Sequence, residues 1–162
     1  DVETILHASI ELTNKINPLF TLNPSVVVEN NVVGYSNFIF IFNILFNNVI
    51  EHSKVDASEL RLGVDVFTSV DKQYTIVKFT NNLNPNFNYD ENVRKLQEVK
   101  NDWNDHSRIE RSNKESGSGF DKIKRILIYE ARAKTDLFDF EMKNNNMSIL
   151  LYLPYSERVP NE

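Results

Sequence analysis

The spacing of apolar and polar residues predicts several helices with a buried side. In residues 2–16 apolar positions recur every three or four residues, which is the period of a helix, and Pro18 ends the segment. Residues 35–51 are apolar almost all round and predict a long buried helix. Their aromatic and β-branched content also fits a strand, but the length of the segment favours a helix. Residues 120–127 repeat the helical spacing and predict another buried helix.

Alternation of apolar and polar residues predicts strands in the other apolar segments. Residues 60–70 and 74–79 alternate on either side of a polar turn, which predicts an antiparallel hairpin. Residues 137–142 and 147–153 predict a second hairpin across the asparagine-rich segment between them. A run of three valines at residues 26–28 predicts a further short strand.

Two polar segments complete the predicted organisation. Residues 89–103 predict a charged helix with few core positions, and residues 104–118 predict a hydrophilic, mobile loop. The order of elements predicts an α+β fold, a two-layer sandwich in which helices cover one face of a mixed, mostly antiparallel sheet. The length of 162 residues fits one domain of ordinary size.

Composition narrows the classes of function. The chain is 41% hydrophobic and 25% charged, as expected of a soluble globular protein, and its net charge of −5 argues against a nucleic-acid partner. The absence of cysteine excludes disulfides, thiolate nucleophiles and cysteine-ligated zinc, and it fits a cytoplasmic location. The longest apolar stretch, residues 38–50, is too short and too interrupted by asparagine to span a membrane. The chain starts at Asp1 without methionine, so we expect it to be part of a longer protein.

Polar residues converge at the end of the predicted helix 35–51. Asn48 is followed one turn later by Glu51 and His52, so a carboxamide, a carboxylate and an imidazole could meet a ligand there. An ordinary helix end that reaches solvent explains the same residues, because the helix dipole favours histidine at a C-terminus.

A second candidate site is the glycine-rich segment before the helix at residues 120–127. Gly117, Ser118 and Gly119 would let backbone N–H groups approach an anion where that helix starts. Lys114, just upstream, would add a positive charge. The competing interpretation is a flexible connector with a serine as its N-cap.

A third candidate site follows the predicted strand 74–79. The side-chain amides of Asn81 and its neighbours could recognise the edge of a base through hydrogen bonds. Runs of asparagine are more commonly turns, so this segment on its own favours a turn.

Taken in order, these three segments resemble the GHKL superfamily, which includes sensor histidine kinases, type II topoisomerases, Hsp90 chaperones and MutL repair proteins. Residues 44–53 (Ile-Leu-Phe-Asn-Asn-Val-Ile-Glu-His-Ser) are similar without gaps to its N box. Residues 117–120 are similar to its second glycine box and residues 149–154 to its closing strand. The resemblance covers about residues 25–154 and is closest to histidine-kinase-like ATPase modules at the C-terminal end of larger bacterial proteins. It implies the Bergerat fold.

The resemblance also implies a site for ATP or ADP with Mg²⁺. It places Asn48 at the position of the magnesium-binding asparagine. Further nucleotide contacts are implied for residues of the N box, the adenine side and the second glycine box. These residues are His52, Asn81, Lys114, Gly117, Ser118 and Gly119.

Departures from the family pattern bear on the mechanism. Ile44 occupies the position of the general base in the ATPases that it resembles, and it cannot accept a proton, so efficient hydrolysis by the usual route is not expected. Asn81 stands in place of the aspartate that binds the adenine amino group. Leu83 and Pro85 replace two glycines of that box, so adenine recognition is expected to be weaker.

The resulting prediction is a nucleotide-binding regulatory module whose lid, at about residues 88–117, switches a neighbouring domain or a protein partner. The alternative is a pseudo-ATPase scaffold that has lost its nucleotide and serves protein interaction. Side chains such as Leu83 or Phe87 filling the pocket would favour that alternative. A third interpretation is a weak ATPase or kinase with a rebuilt site that uses Glu51 or Glu115 as its base.

The extent of the resemblance sets the expected boundaries. We expect the ATP-binding domain at residues 25–154, after an N-terminal helix and linker at 1–24 and before a tail at 155–162. A histidine-kinase reaction would also need a phospho-acceptor histidine on a dimerising helical hairpin. His7 lies on a predicted helix without the usual residues after it, so we predict an ordinary surface or packing residue.

Overall fold

A computed structural model describes residues 2–19, 21–29, 38–71, 73–104, 119–127 and 138–154. The helices of these residues are α1 (Val2–Ile16), α2 (Phe38–His52), α3 (Tyr89–Asn101) and α4 (Gly119–Arg125). A short 3₁₀ helix, Asp102–Asn104, directly follows α3. The strands are β1 (Ser25–Val28), β2 (Leu62–Thr68), β3 (Tyr74–Asn82), β4 (Phe138–Lys143) and β5 (Asn146–Pro154). Among the described helices none is long and apolar enough to cross a bilayer.

The five strands in the described part of the chain form one mixed sheet in the order β1-β2-β3-β5-β4. β1 pairs in parallel with β2, and every other neighbouring pair is antiparallel. Both predicted hairpins are confirmed. The turn of the second contains Asn144 and Asn145 at φ 52° and 57°, a left-handed conformation that tight hairpin turns require and asparagine tolerates.

Helices cover one face of the sheet and close the core there. A row of buried side chains crosses this face from strand to strand: Val66, Val77, Leu151 and Phe138. From α2, the rings of Phe42 and Phe46 contact Phe79 with centroid distances of 5.9 and 5.3 Å. Aromatic pairs at such distances stabilise a core beyond the area they bury. The predicted two-layer α+β sandwich is confirmed.

Helix α1 packs in the same core, but the side that it buries includes polar residues and leaves some of its apolar residues exposed. Ser9 and Thr13 are 0% and 1% exposed, whereas Leu12 and Ile16 are 38% and 62% exposed. Both hydroxyl groups are hydrogen-bonded although buried: Ser9 donates to the carbonyl of Ile5 in its own helix at 2.9 Å, and Thr13 donates to Oδ1 of Asn43 in α2 at 3.1 Å. His7 lies on the exposed side, 3.9 Å from Glu3, as expected of a surface residue. The boundary between residues 24 and 25 stays a prediction.

Strand β3 is longer than the alternation predicts. It continues through Asn81 and Asn82, which pair with Met147 and Asn146 of β5 instead of forming a turn. The side chain of Asn82 also accepts from the N–H of Arg61 and donates to a neighbouring loop carbonyl. These pairings satisfy the backbone and outweigh the low strand propensity of asparagine.

Candidate functional site

A cavity of about 500 Å³ lies between α2, β3, α3 and α4. Its volume is within the range of small-molecule sites. Much of its lining is apolar. The lining also includes polar and charged residues and one glycine. Those from the helices and from β3 include Asn48, Glu51, His52, Asn81, Asn92, Lys95, Gly119 and Lys122.

The last turns of α2 meet the start of α4 at this cavity. A methyl group built on Gly119 would lie 3.5 Å from Oδ1 and 3.6 Å from Nδ2 of Asn48. The same methyl group would lie 3.3 Å from Cγ2 of Ile44. Gly119 therefore faces the Asn48 carboxamide across a gap about the size of one methyl group, so the two motifs meet at the same cavity as their order predicts. A side chain at position 119 would fill the space between them.

The side of the cavity formed by β3 carries the asparagine predicted to recognise adenine. Asn81 is 6% exposed, and its Nδ2 donates to the carbonyl of Asn82 at 2.8 Å. Its Oδ1 is the atom suited to accept from a ligand. Leu83, which is buried, and Phe87 form part of the wall. A cavity of about 500 Å³ remains, so these two side chains do not fill it.

Glu51 and His52 lie at the solvent-exposed rim of the cavity. Their side chains are 67% and 69% exposed, and Oε2 of Glu51 is 3.8 Å from Nε2 of His52. The structure thus brings both residues to the same cavity as Asn48. The role of Glu51 as a base and the nucleotide contact of His52 stay predictions.

Two cationic side chains of the cavity were missed by the motif comparison. Lys95 of α3 and Lys122 of α4 both contribute to its lining. The ammonium of Lys95 hydrogen-bonds to Glu91 at 2.6 Å and lowers the pKa of that carboxyl below its usual value. Lys122 lies only three residues after Gly119, so its place near the glycine motif could have been recognised from the sequence. Lys95 had no such signal, because α3 reaches the cavity only through the tertiary fold.

Several predicted residues lie outside the described part of the chain: Lys114, Glu115, Gly117 and Ser118. Of the predicted lid, only residues 88–104 are described. Within the described ranges, no group of three or more histidine, aspartate or glutamate side chains is placed to hold a metal ion.

The fold and this arrangement of motifs define a histidine-kinase-like domain of the GHKL type. The family described as "y4jQ C-terminal putative histidine kinase domain" matches residues 1–155, and the chain belongs to that family. No curated protein is similar to it in sequence at a significant level.

Solved histidine kinases share the fold at low sequence identity. The catalytic domain of histidine kinase ThkA is 13% identical with a TM-score of 0.61, over 95% of this chain and 93% of that one. Mycobacterial sensor histidine kinase MprB is 16% identical with a TM-score of 0.58, over 96% of each chain. Acinetobacter baumannii histidine kinase AdeS is 10% identical with a TM-score of 0.61, over 97% of this chain and 66% of that one. These identities establish the likeness of fold alone.

Proposed function

We propose that this domain binds an adenine nucleotide, ATP or ADP, with Mg²⁺, and that it acts as a regulatory module of a longer protein. The observation that carries the proposal is that Asn48 and Gly119 face each other at the cavity of about 500 Å³. An amide oxygen is a hard ligand of the kind Mg²⁺ accepts, and the ion commonly completes its shell with phosphate oxygens and water. Backbone N–H groups beside an uncrowded glycine can donate to the same phosphates.

The other lining residues suit the remaining parts of a nucleotide. Lys122 and Lys95 supply positive charge for a phosphate chain. The oxygen of Asn81 can accept from the amino group of adenine, while Leu83 and Phe87 offer apolar contact to a base. Magnesium would then be held by Asn48 together with the phosphates.

Hydrolysis is not part of the proposed function. The side chain of Ile44 lies beside Gly119, at the position where the ATPases of this superfamily are expected to carry their general base. An alkyl group cannot take a proton from water, so the bound nucleotide would persist. Occupancy of the cavity by the nucleotide, rather than turnover, would be the signal to a neighbouring domain or a protein partner.

Calorimetric titration of the protein with ATP and ADP, each with and without Mg²⁺, tests the proposal. We expect the wild type to bind, with magnesium increasing the affinity for ATP. Asn48→Ala should lower the affinity for Mg-ATP about 10- to 100-fold, because it removes the metal ligand and leaves the apolar wall.

Asn101→Ala is the matched control for this variant. It removes the same carboxamide from the exposed end of α3, where the side chain accepts from Gln97 and does not line the cavity. Its affinity should equal that of the wild type. No heat at millimolar nucleotide with magnesium would contradict the proposal.

A further inference from the structure

Side-chain hydrogen bonds connect α1 to α2 at intervals of one helical turn. Within the described residues they form three rungs: Ser9 to the carbonyl of Ile39 (3.4 Å), Thr13 to Oδ1 of Asn43 (3.1 Å) and Asn17 to Oδ1 of Asn47 (3.0 Å). The first rung is the weakest, because the Ser9 hydroxyl also donates to the carbonyl of Ile5 in its own helix at 2.9 Å. We call this set the polar ladder. Each rung joins residues that are 30 apart in sequence, so the two helices run in the same direction and stay in register.

The polar ladder favours one rotational setting of α1 against α2. Ser9 and Thr13 are 0% and 1% exposed, so water does not replace their partners. A rotation of α1 about its axis would take the buried hydroxyl of Thr13 away from Asn43 and the half-buried carboxamide of Asn17 away from Asn47. The loss at the buried hydroxyl carries a desolvation penalty. Buried polar pairs specify helix register in this way in coiled coils.

The polar ladder reaches the cavity at Asn47, which contributes to its lining, and its other members on α2 lie next to the cavity-facing side. Asn47 immediately precedes Asn48, and Asn43 immediately precedes Ile44. Consecutive residues of a helix point about 100° apart, so the row that faces α1 borders the row that faces Gly119. A rotation of the last turns of α2 would therefore move Asn47 and Asn48 together.

We infer that Asn17 is a positioning residue for the magnesium end of the site. Its Nδ2 holds Oδ1 of Asn47 and also donates to the carbonyl of Thr13, so it ties the end of α1 to the end of α2. This bond sets the rotation of α2 at Asn48 and thus the place of the carboxamide against Gly119. The inference rests on the proposed binding of a magnesium nucleotide.

The test compares Asn17→Ala with Asn14→Ala. Asn14 lies in the last turn of α1, three residues before Asn17. It also hydrogen-bonds through its carboxamide, to the N–H and carbonyl of Leu22 at 2.7 and 3.1 Å, but among the described residues it has no rung to α2. Titration with ATP in magnesium and in a chelator gives the magnesium-dependent gain in affinity for each variant. A thermal melt of each variant shows that it is folded at the titration temperature.

We expect Asn17→Ala to lose at least about tenfold of the magnesium-dependent gain, while its affinity without metal stays within about twofold of the wild type. Asn14→Ala should keep the whole gain even if it melts at a similar temperature. The double variant Asn17→Ala/Asn48→Ala should bind no more weakly than Asn48→Ala, because both changes act on one metal ligand. Asn17→Leu, which keeps a similar size and removes both polar atoms of the carboxamide, should behave as Asn17→Ala and replaces it if that variant does not fold.

The outcomes separate this inference from the proposed function. A wild type that binds no nucleotide overturns both. A wild type that binds with a magnesium-dependent gain, beside an Asn17→Ala that keeps the gain, overturns the positioning role alone. Equal losses in Asn17→Ala and Asn14→Ala would also overturn it, since they would reflect general destabilisation of α1.

Discussion

Replacement of Gly119 by alanine tests the geometry at the start of α4 directly. The added methyl group would lie 3.3 Å from Cγ2 of Ile44 and 3.5 Å from Oδ1 of Asn48. The first contact is tighter than ordinary packing, so Ile44 has to move by a few tenths of an ångström. The second would place a methyl group against the oxygen that we propose binds magnesium.

The structure predicts different magnitudes for stability and for binding. Alanine is about 1 kcal/mol more favourable than glycine in a helix interior. Gly119 is the first residue of α4, so a part of that difference applies and offsets some of the cost of the close contact with Ile44. The free energy of unfolding should therefore change by less than about 1 kcal/mol. Hydrogen bonds to a charged group contribute about 1.5–3 kcal/mol. Their loss at Gly119 should lower the affinity for Mg-ATP about 10- to 100-fold.

Calorimetric titration and chemical denaturation of the same preparations measure the two quantities. Gly63→Ala is the matched control, because among the described residues a methyl group there would meet only the carbonyl oxygen of Thr80, at an ordinary 3.9 Å. Gly63 lies in β2 and is not one of the residues that line the cavity. Wild-type affinity in Gly119→Ala, or an equal loss in Gly63→Ala, would refute the reasoning.

Two further predictions concern charged residues. Glu51→Gln should leave phosphate release as slow as in the wild type. It should tighten ATP binding by at most about fivefold, because Glu51 is an exposed charge at the rim. Phosphate release that is fast in the wild type and lost in this variant would instead identify Glu51 as a base. Burial tends to raise the pKa of Asp139, but hydrogen bonds from Lys100 and from the Phe140 N–H outweigh it and hold that pKa below the usual value. The stability from this lowered pKa is present above about pH 4 and is lost as pH falls through the lowered value. Lys100→Met should reduce the difference in the free energy of unfolding between about pH 7 and pH 3 by about 0.2–1 kcal/mol, since the side chains of Lys100 and Asp139 are 43% and 42% exposed. Denaturation curves that give the same difference for the variant and the wild type would contradict this.

Much of the fold could be predicted because the local pattern reports which side of a segment is buried. The apolar segment that became α2 buries Phe42 and Phe46 as its composition indicates, and the alternating segments became β2 to β5. The pairing of Asn48 with Gly119 in one cavity followed from the spacing of the motifs and the family resemblance. A cavity-lining position for Asn81 followed in the same way, although its place inside β3 did not.

The remaining features depend on partners that are distant in sequence. Asn81 extends β3 because β5 supplies Met147 opposite it, 66 residues further along the chain. The burial of Ser9 and Thr13 could not be predicted, since periodicity treats a hydroxyl side chain as solvent-facing. Lys95 reaches the cavity because α3 packs beside it, and no local pattern indicates that position.

The sequence by itself determined the order and type of the elements and the motifs that resemble the GHKL superfamily, because these depend on side-chain periodicity and spacing within short segments. Only the tertiary structure decided which polar atoms are satisfied, as in the bond from Asn17 to Asn47, and which cations face the cavity. The physical reason is that a buried polar group is tolerated only where another element supplies its hydrogen-bond partner, and that partner is defined by packing between elements.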